Sequence, residues 1–301
     1  MRNIILVMVL SIVVPLGAEE RVHRTDQVRI WYHTDGVHAV EPADSNANGV
    51  PDVIEDIMTQ VLAARSMFVE VLGFPDPLKT ERFKTASFID IHLRSKDVLK
   101  MNGVAFDELQ RYRKRGDPEG TLSIGFNVAT TVRAPANLTP AHEFFHLIQY
   151  STTYFKNRWF LEGTARWSER ALGEGDLGLA KIMPVWPLPS DQRSALFGMA
   201  YEASEHLWNP LAKRLDVDGE IPNGLALQRL KNMKYVDGSP VLKDLRLRGW
   251  KFVRDVLQEL AKMDDIAFSD FGYDRWSEDN QRSPKNDEPM LRAVEAVVGR
   301  Q

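Results

Sequence analysis

The chain has 301 residues, 44% hydrophobic and 27% charged, enough apolar material for one large globular core or two smaller ones. Its net charge is −4, from 38 basic and 42 acidic residues, and no basic cluster stands out, which argues against nucleic acid or an anionic membrane surface as partner. There is no cysteine, so the chain holds no disulfide and no lipid anchor on an N-terminal Cys.

The opening stretch reads as a secretory signal peptide: Arg2 gives the positive end, Ile4 to Val14 the apolar core, and Leu16-Gly17-Ala18 a small-residue cleavage site. The apolar run is short for a membrane span, so an uncleaved anchor fits less well than cleavage after residue 18. This predicts a secreted or periplasmic protein with no stable membrane insertion after cleavage, and the missing cysteines suit bacterial export better than an animal extracellular protein.

Val28 to His33 (VRIWYH) alternates as a strand does and runs into a turn at His33-Thr34-Asp35-Gly36. Next comes Asp44-Ser-Asn-Ala-Asn-Gly-Val-Pro-Asp-Val-Ile-Glu55, which matches the calcium-loop pattern D-x-[DN]-x-[DN]-G-x5-E. Its oxygen ligands would be Asp44, Asn46, Asn48, Asp52 and Glu55, with the Val50 carbonyl; Gly49 allows the sharp turn. Two neutral Asn ligands predict weak affinity and a structural role, and a metal-free Asx turn that merely starts the next helix is the alternative. That helix is expected over Asp52 to Leu72, with Val53, Ile54, Ile57, Met58, Val61, Leu62 and Phe68 on its apolar face. The loop resembles the DxNxNGxPD loops of thrombospondin-type and dockerin-like calcium sites.

Two strands are expected at Ser87 to Leu93 and Thr121 to Val128, with the charged ELQRYRKRGDPEG between them as a solvated loop. His92 falls on the strand face opposite Ile89 and Ile91, which suits a surface or hydrogen-bonded histidine.

The most informative stretch begins at Thr139-Pro140 and contains HEFFH, His142 to His146. Thr139 suits an N-cap, Pro140 the first helical position, and Phe144, Phe145, Leu147 and Ile148 a buried helix. On that helix His142 and His146 lie one turn apart on one face and can reach one metal ion. Two neutral imidazoles hold zinc in such motifs, while the intervening Glu, here Glu143, takes a proton from the attacking water.

Downstream, LEGTARWSE places Glu162, Gly163, Ala165 and Glu169 in a pattern that resembles the gluzincin branch of the zincin metallopeptidases. In that branch HExxH is followed by a helix carrying a ligand Glu, then Gly, a small residue and a second Glu. The resemblance implies His142, His146 and Glu162 as zinc ligands and Glu143 as general base. It also implies a bond from Glu169 to a ligand histidine, since Glu162 and Glu169 share a helix face. Fifteen residues separate His146 from Glu162, fewer than in the one-metal aminopeptidases of the branch. Gluzincins usually also carry a Tyr or His that stabilises the oxyanion; Tyr201 and His206, in FGMAYEASEHLW, are the candidates, with Tyr201 the choice. In zincins an antiparallel edge strand before the helix binds extended peptide, a role the resemblance gives to Thr121 to Val128.

Beyond Glu169 the pattern is helical over Ala195 to Leu211, Leu225 to Met233, Trp250 to Met263 and Met290 to Val298. The chain is similar overall to exported bacterial metallopeptidases that pair a DxNxNGxPD loop with HExxH and EGxAxWxE. The implied fold is α+β and zincin-like: a small mixed twisted sheet with the active-site helix in an upper lobe, and a mostly helical lower lobe. The expected division is a signal peptide (1–18), an N-terminal segment with the calcium loop and helix (19–75), a zincin catalytic core (76–175) and a helical C-terminal subdomain (176–301). The expected function is a secreted zinc peptidase acting on peptide or protein substrates, with zinc and calcium as its metals. Two alternatives remain: a zinc hydrolase of non-peptide substrates, and a non-catalytic, calcium-stabilised binding protein on a zincin scaffold.

Overall fold

The computed structural model describes residues 19–111, 116–173 and 185–300, so the expected signal peptide at 1–18 lies outside the described residues. The protein is α+β. Its strands are β1 (Glu20–Thr25), β2 (Val28–His33), β3 (Ala86–Arg94), β4 (Gly103–Gln110) and β5 (Leu122–Ala129), arranged in one mixed sheet in the order β1-β2-β3-β5-β4. The inner pairs β2/β3 and β3/β5 are parallel, whereas β1/β2 and β4/β5 are antiparallel. The inner strands are buried on both faces, and the charged residues they carry are paired there: Arg29 of β2 donates to Asp90 of β3 at 2.6 and 2.8 Å.

The two edges are where sequence and structure part. β1 is ERVHRT, charged and largely exposed, the composition that discourages a sheet edge from pairing with another chain and also hides it from pattern reading. β4 is half-buried and shifts register between Phe106 and Gln110, so the stretch before RYRKRG is not wholly a solvated loop: it begins as an edge strand. Consequently β5, expected at the edge beside the HEFFH helix, is an inner strand, and β4 holds that edge.

The helices are α1 (Asp52–Arg65), α2 (Lys96–Leu99), α3 (Thr139–Thr152), α4 (Arg158–Ser168), α5 (Ser190–Phe197), α6 (Asn209–Leu215), α7 (Leu225–Lys231), α8 (Trp250–Asp270), α9 (Glu278–Gln281) and α10 (Asp287–Val298). A wider π-type turn, Ser66–Val71, prolongs α1. The helix expected over Ala195 to Leu211 is interrupted: α5 ends at Phe197, and the chain turns before a second π segment, Ser204–Trp208, leads into α6.

At the centre lies α3, whose side chains are buried from Pro140 to Ser151. Phe145 packs against Phe68, Phe74 and Trp167 with ring centroids 5.0, 5.7 and 6.0 Å apart. Such close aromatic packing makes the helix a rigid carrier. One continuous buried cluster runs from Val28 to Val298, so the N-terminal segment and the C-terminal helices share the core of α3. Among the described residues, no helix is long and apolar enough to cross a membrane.

Candidate metal centre

The start of α3 is held by other side chains, not by Thr139, which is its first helical residue. Asn137 Oδ1 accepts from the Thr139 N–H at 2.9 Å, and the buried Gln60 accepts from the Ala141 N–H at 3.2 Å. Gln60 also donates to the Ala134 carbonyl at 2.7 Å, fixing the approach to the helix. These contacts satisfy amide groups that the first turn leaves without partners.

One turn further, His142 and His146 face α4, and Glu162 on α4 faces them. Glu162 Oε2 lies 3.5 Å from His142 Nε2 and 3.6 Å from His146 Nε2. A tetrahedral centre with bonds of about 2.0–2.2 Å separates its ligand atoms by roughly 3.3–3.6 Å. Both separations from Glu162 to the imidazoles fall in that range. Among the described residues, these three side chains form the one group of three or more His, Asp or Glu whose ligand atoms all lie within 4.8 Å of one another. Glu162 Oε2 is buried without a hydrogen-bond partner, a costly condition that a cation would relieve.

Both imidazoles are held from behind. His142 Nδ1 is 3.0 Å from Glu169 Oε1, and His146 Nδ1 is 2.7 Å from Gln149 Oε1. Gln149 is fixed in turn, since its amide nitrogen donates to the Leu161 carbonyl at 2.9 Å and to Thr164 Oγ1 at 2.6 Å. An Nδ1–H donated to each acceptor leaves both Nε2 lone pairs aimed at the shared point. Glu169 is itself paired with Arg166.

The electrostatics favour positive charge there. Burial works against an imidazolium at His142, but the carboxylates of Glu162 and Glu169 outweigh it and push its pKa up to about 9. Burial also opposes ionisation of Glu162, yet His142 and His146 hold its carboxyl well below the usual range. The group can therefore hold a metal ion.

Glu143 points to the same cleft and is buried. Burial pushes its carboxyl pKa up, while His146, His142 and the nearby backbone N–H of Ala105 pull the other way. Ala105 belongs to edge strand β4, so the strand touches the catalytic candidate directly. Gly103 explains how it comes so close: a Cβ there would sit 2.5 Å from Glu143 Oε1 and 2.6 Å from Thr139 Cγ2. On the other wall, a Cβ at Gly163 would meet Trp208 Nε1 at 2.6 Å, so the Glu-Gly step of α4 is required by its packing.

The cleft encloses about 940 Å³ between β4 and α3 on one side and α4 with Tyr201 and Arg282 on the other. The Tyr201 ring is 5.9 Å from that of His142 and 48% exposed. Burial and contact with the Glu162 carboxylate push its phenol up to about 12. His206 bonds the Glu202 carbonyl and lies outside the cleft lining. His92 is buried in the sheet and stacks on Trp31, and burial and Arg94 lower its pKa to about 4.

The Asp44–Glu55 loop is a separate feature and closes on itself. Asp44 accepts from the Asn48 and Gly49 N–H groups at 3.1 and 2.8 Å, and Asp52 accepts from the Ser45 N–H at 2.9 Å and hydroxyl at 2.6 Å. Asn46 and Asn48 donate their amides to Glu55 at 2.9 and 2.8 Å, while Val50 donates its N–H to Asn48 Oδ1. The carboxylates of Asp44, Asp52 and Glu55 do not converge as the histidine–glutamate group does.

Gln149, Gly103 and Ala105 were not among the residues singled out by sequence. Gln149 was accessible by spacing, three residues beyond His146 on one helix face; the other two depend on tertiary approach. Compared with known proteins, the chain matches no protein-family model and no curated sequence.

Proposed function

We propose that the protein is a zinc-dependent peptidase of gluzincin type. The observation that carries this reading is the meeting of His142, His146 and Glu162 within ligand distance, both Nδ1 atoms anchored, beside the buried Glu143. A zinc ion bound there supplies a Lewis acid that polarises a carbonyl and acidifies water. Neutral imidazoles with a carboxylate and an open fourth position suit zinc over magnesium or calcium.

The protein's own residues supply the rest. Glu143 is the general base, and burial brings its basicity closer to neutral pH than that of an exposed carboxylate. It later returns the proton to the leaving amine. Tyr201 keeps its phenolic proton at physiological pH and is the donor to the developing oxyanion. Among the described residues β4 pairs only with β5, and its first residues line the cleft, so an extended peptide pairs along this edge.

We place calcium in the Asp44–Glu55 loop as a structural ion. Asp44, Asn46, Asn48, Asp52, Glu55 and the Val50 carbonyl would hold the ion, and Glu55 would have to give up the Asn46 and Asn48 amides it accepts from to coordinate. Export to a calcium-containing compartment fits the signal-like opening stretch and a loop with two neutral Asn ligands.

The test is metal content and peptide cleavage by the mature protein. One zinc per chain, lost in His146→Ala and Glu162→Gln, and cleavage abolished with metal retained in Glu143→Gln, would bear the proposal out. A metal-loaded wild type that cleaves esters but no peptide would refute it.

A further inference from the structure

Four arginines, Arg158, Arg166, Arg170 and Arg282, line the cleft of a chain whose acidic residues outnumber its basic ones. The acids of the lining are already committed. Glu162 faces the two imidazoles, Glu143 stands beside them, and Glu169 holds His142 and Arg166. Arg282 pairs with Glu278 one helical turn away. Arg158 is different: it is exposed, and makes no hydrogen bond or ion pair with any described residue.

Arg158 is nevertheless well placed. It precedes Glu162 by four residues on α4, so it stands one turn from the metal ligand on the same helix face. Its charge reaches Tyr201 and Glu202 across the cleft mouth. The backbone beneath it is clamped: Asn157 and Trp159 donate to Asp287 Oδ1 at 2.7 and 2.8 Å. Asn157 also donates to the Ser283 carbonyl at 3.0 Å, and the Lys156 N–H to the Gln281 carbonyl at 2.9 Å. Arg158 and Arg282 thus arise from two stretches of chain tied to each other by hydrogen bonds on either side of both residues.

We propose that this cleft selects substrates bearing a carboxylate, bound by Arg158 with Arg282 beside it, next to the metal centre. The inference rests on the reading of the cleft as a peptidase site and adds its substrate class. A guanidinium with no partner among the described residues presents its planar fork to a carboxylate, and charge-assisted bonds of this kind are the stronger ones. The carboxylate is either the free C-terminus of a peptide or an Asp or Glu side chain near the scissile bond.

Three N-acetylated hexapeptides of one sequence separate the sources: a neutral peptide with a free C-terminus, its C-terminal amide, and the amide with one Glu. Binding is measured by calorimetry on wild type, Arg158→Gln, Arg158→Lys and Arg282→Gln. The acid peptide of the correct source binds wild type roughly tenfold or more tightly than the neutral amide. Arg158→Gln removes this advantage, Arg158→Lys restores part of it, and Arg282→Gln reduces it. Equal binding of all three peptides to wild type, or an advantage that survives in Arg158→Gln because the metal alone captures the carboxylate, overturns the proposal. Arg158 is exposed, and unchanged metal content and melting temperature in Arg158→Gln show that the fold is intact. Cleavage of the same peptides is read separately. An Arg158-dependent binding advantage without hydrolysis refutes the peptidase reading and leaves carboxylate recognition standing; equal hydrolysis of all three by wild type and Arg158→Gln does the reverse.

Discussion

Gln149 offers the sharpest test of how the candidate metal centre is built. In Gln149→Met the side chain keeps its length and apolar volume but loses three contacts: the acceptor for His146 Nδ1 at 2.7 Å, and the donors to the Leu161 carbonyl and Thr164 Oγ1 at 2.9 and 2.6 Å. Thr164 retains its bond to the Phe160 carbonyl at 2.9 Å, so the main orphan is His146. Loss of such a supporting partner typically weakens metal binding about 10- to 100-fold, or about 1.4–2.8 kcal/mol. A buried donor left unsatisfied costs the fold roughly 1–3 kcal/mol more. Chelator competition measures the affinity, and nitrogen NMR of the imidazole reports which ring nitrogen carries the proton. Gln149→Glu separates the two effects: it restores an acceptor to His146, as Glu169 does for His142, while still giving up both donors. Metal affinity should return in Gln149→Glu although thermal stability does not. If Gln149→Met binds metal within twofold of wild type with its histidine tautomer unchanged, the bond behind His146 neither sets its tautomer nor supports the ion.

Gly103→Ala forces a methyl group against Glu143 Oε1 and Thr139 Cγ2, so turnover should fall on the order of 100-fold with metal content unchanged; equal turnover would show that Glu143 has room to move. Millimolar calcium should raise the melting temperature of wild type but not of Glu55→Gln, and an equal rise in both would place the ion elsewhere. Asp264, buried on α8, accepts from Thr153 Oγ1 at 2.7 Å and from the Tyr154 N–H, and burial pushes its pKa from 3.8 up to about 7. The folded state then holds a proton that the unfolded chain has released, so stability falls as pH rises from about 4 to 7, by up to about 4 kcal/mol. Asp264→Asn keeps an acceptor and abolishes the charge; denaturant unfolding should show it less stable than wild type at pH 4 and more stable at pH 8, and parallel curves at both would remove Asp264 as the cause.

How much of this could be read from sequence depended on where the information sits. The inner strands carry β-branched and aromatic residues between turn signals, and the main helices carry 3.6-residue spacing, so β2, β3, β5, α1, α3 and α8 appear near their expected places. The edges do not obey those patterns. β1 is a strand because its backbone pairs with β2 from Glu20 to Thr25, and its side chains record solvent, not packing. The same holds for β4, whose charged end disguised it and shifted the expected substrate edge onto β5.

The candidate metal centre shows the same division at finer scale. His142, Glu143 and His146 are ordered by helical spacing alone, and Glu162, Gly163 and Glu169 by spacing on a second helix, so each half is visible locally. What brings the halves together is remote. Gln60 fixes the start of α3, Gln149 reaches from α3 to the Leu161 carbonyl of α4, and Trp208 presses on Gly163 from beyond. Asp287 anchors the first turn of α4 through Asn157 and Trp159, from a helix more than a hundred residues later. Disturbing Asp287 should therefore move Arg158 and Glu162 together, although no side chain of the C-terminal helix α10 lines the cleft. The C-terminal helices are in this sense part of the candidate metal centre: they anchor the start of the helix that carries Glu162.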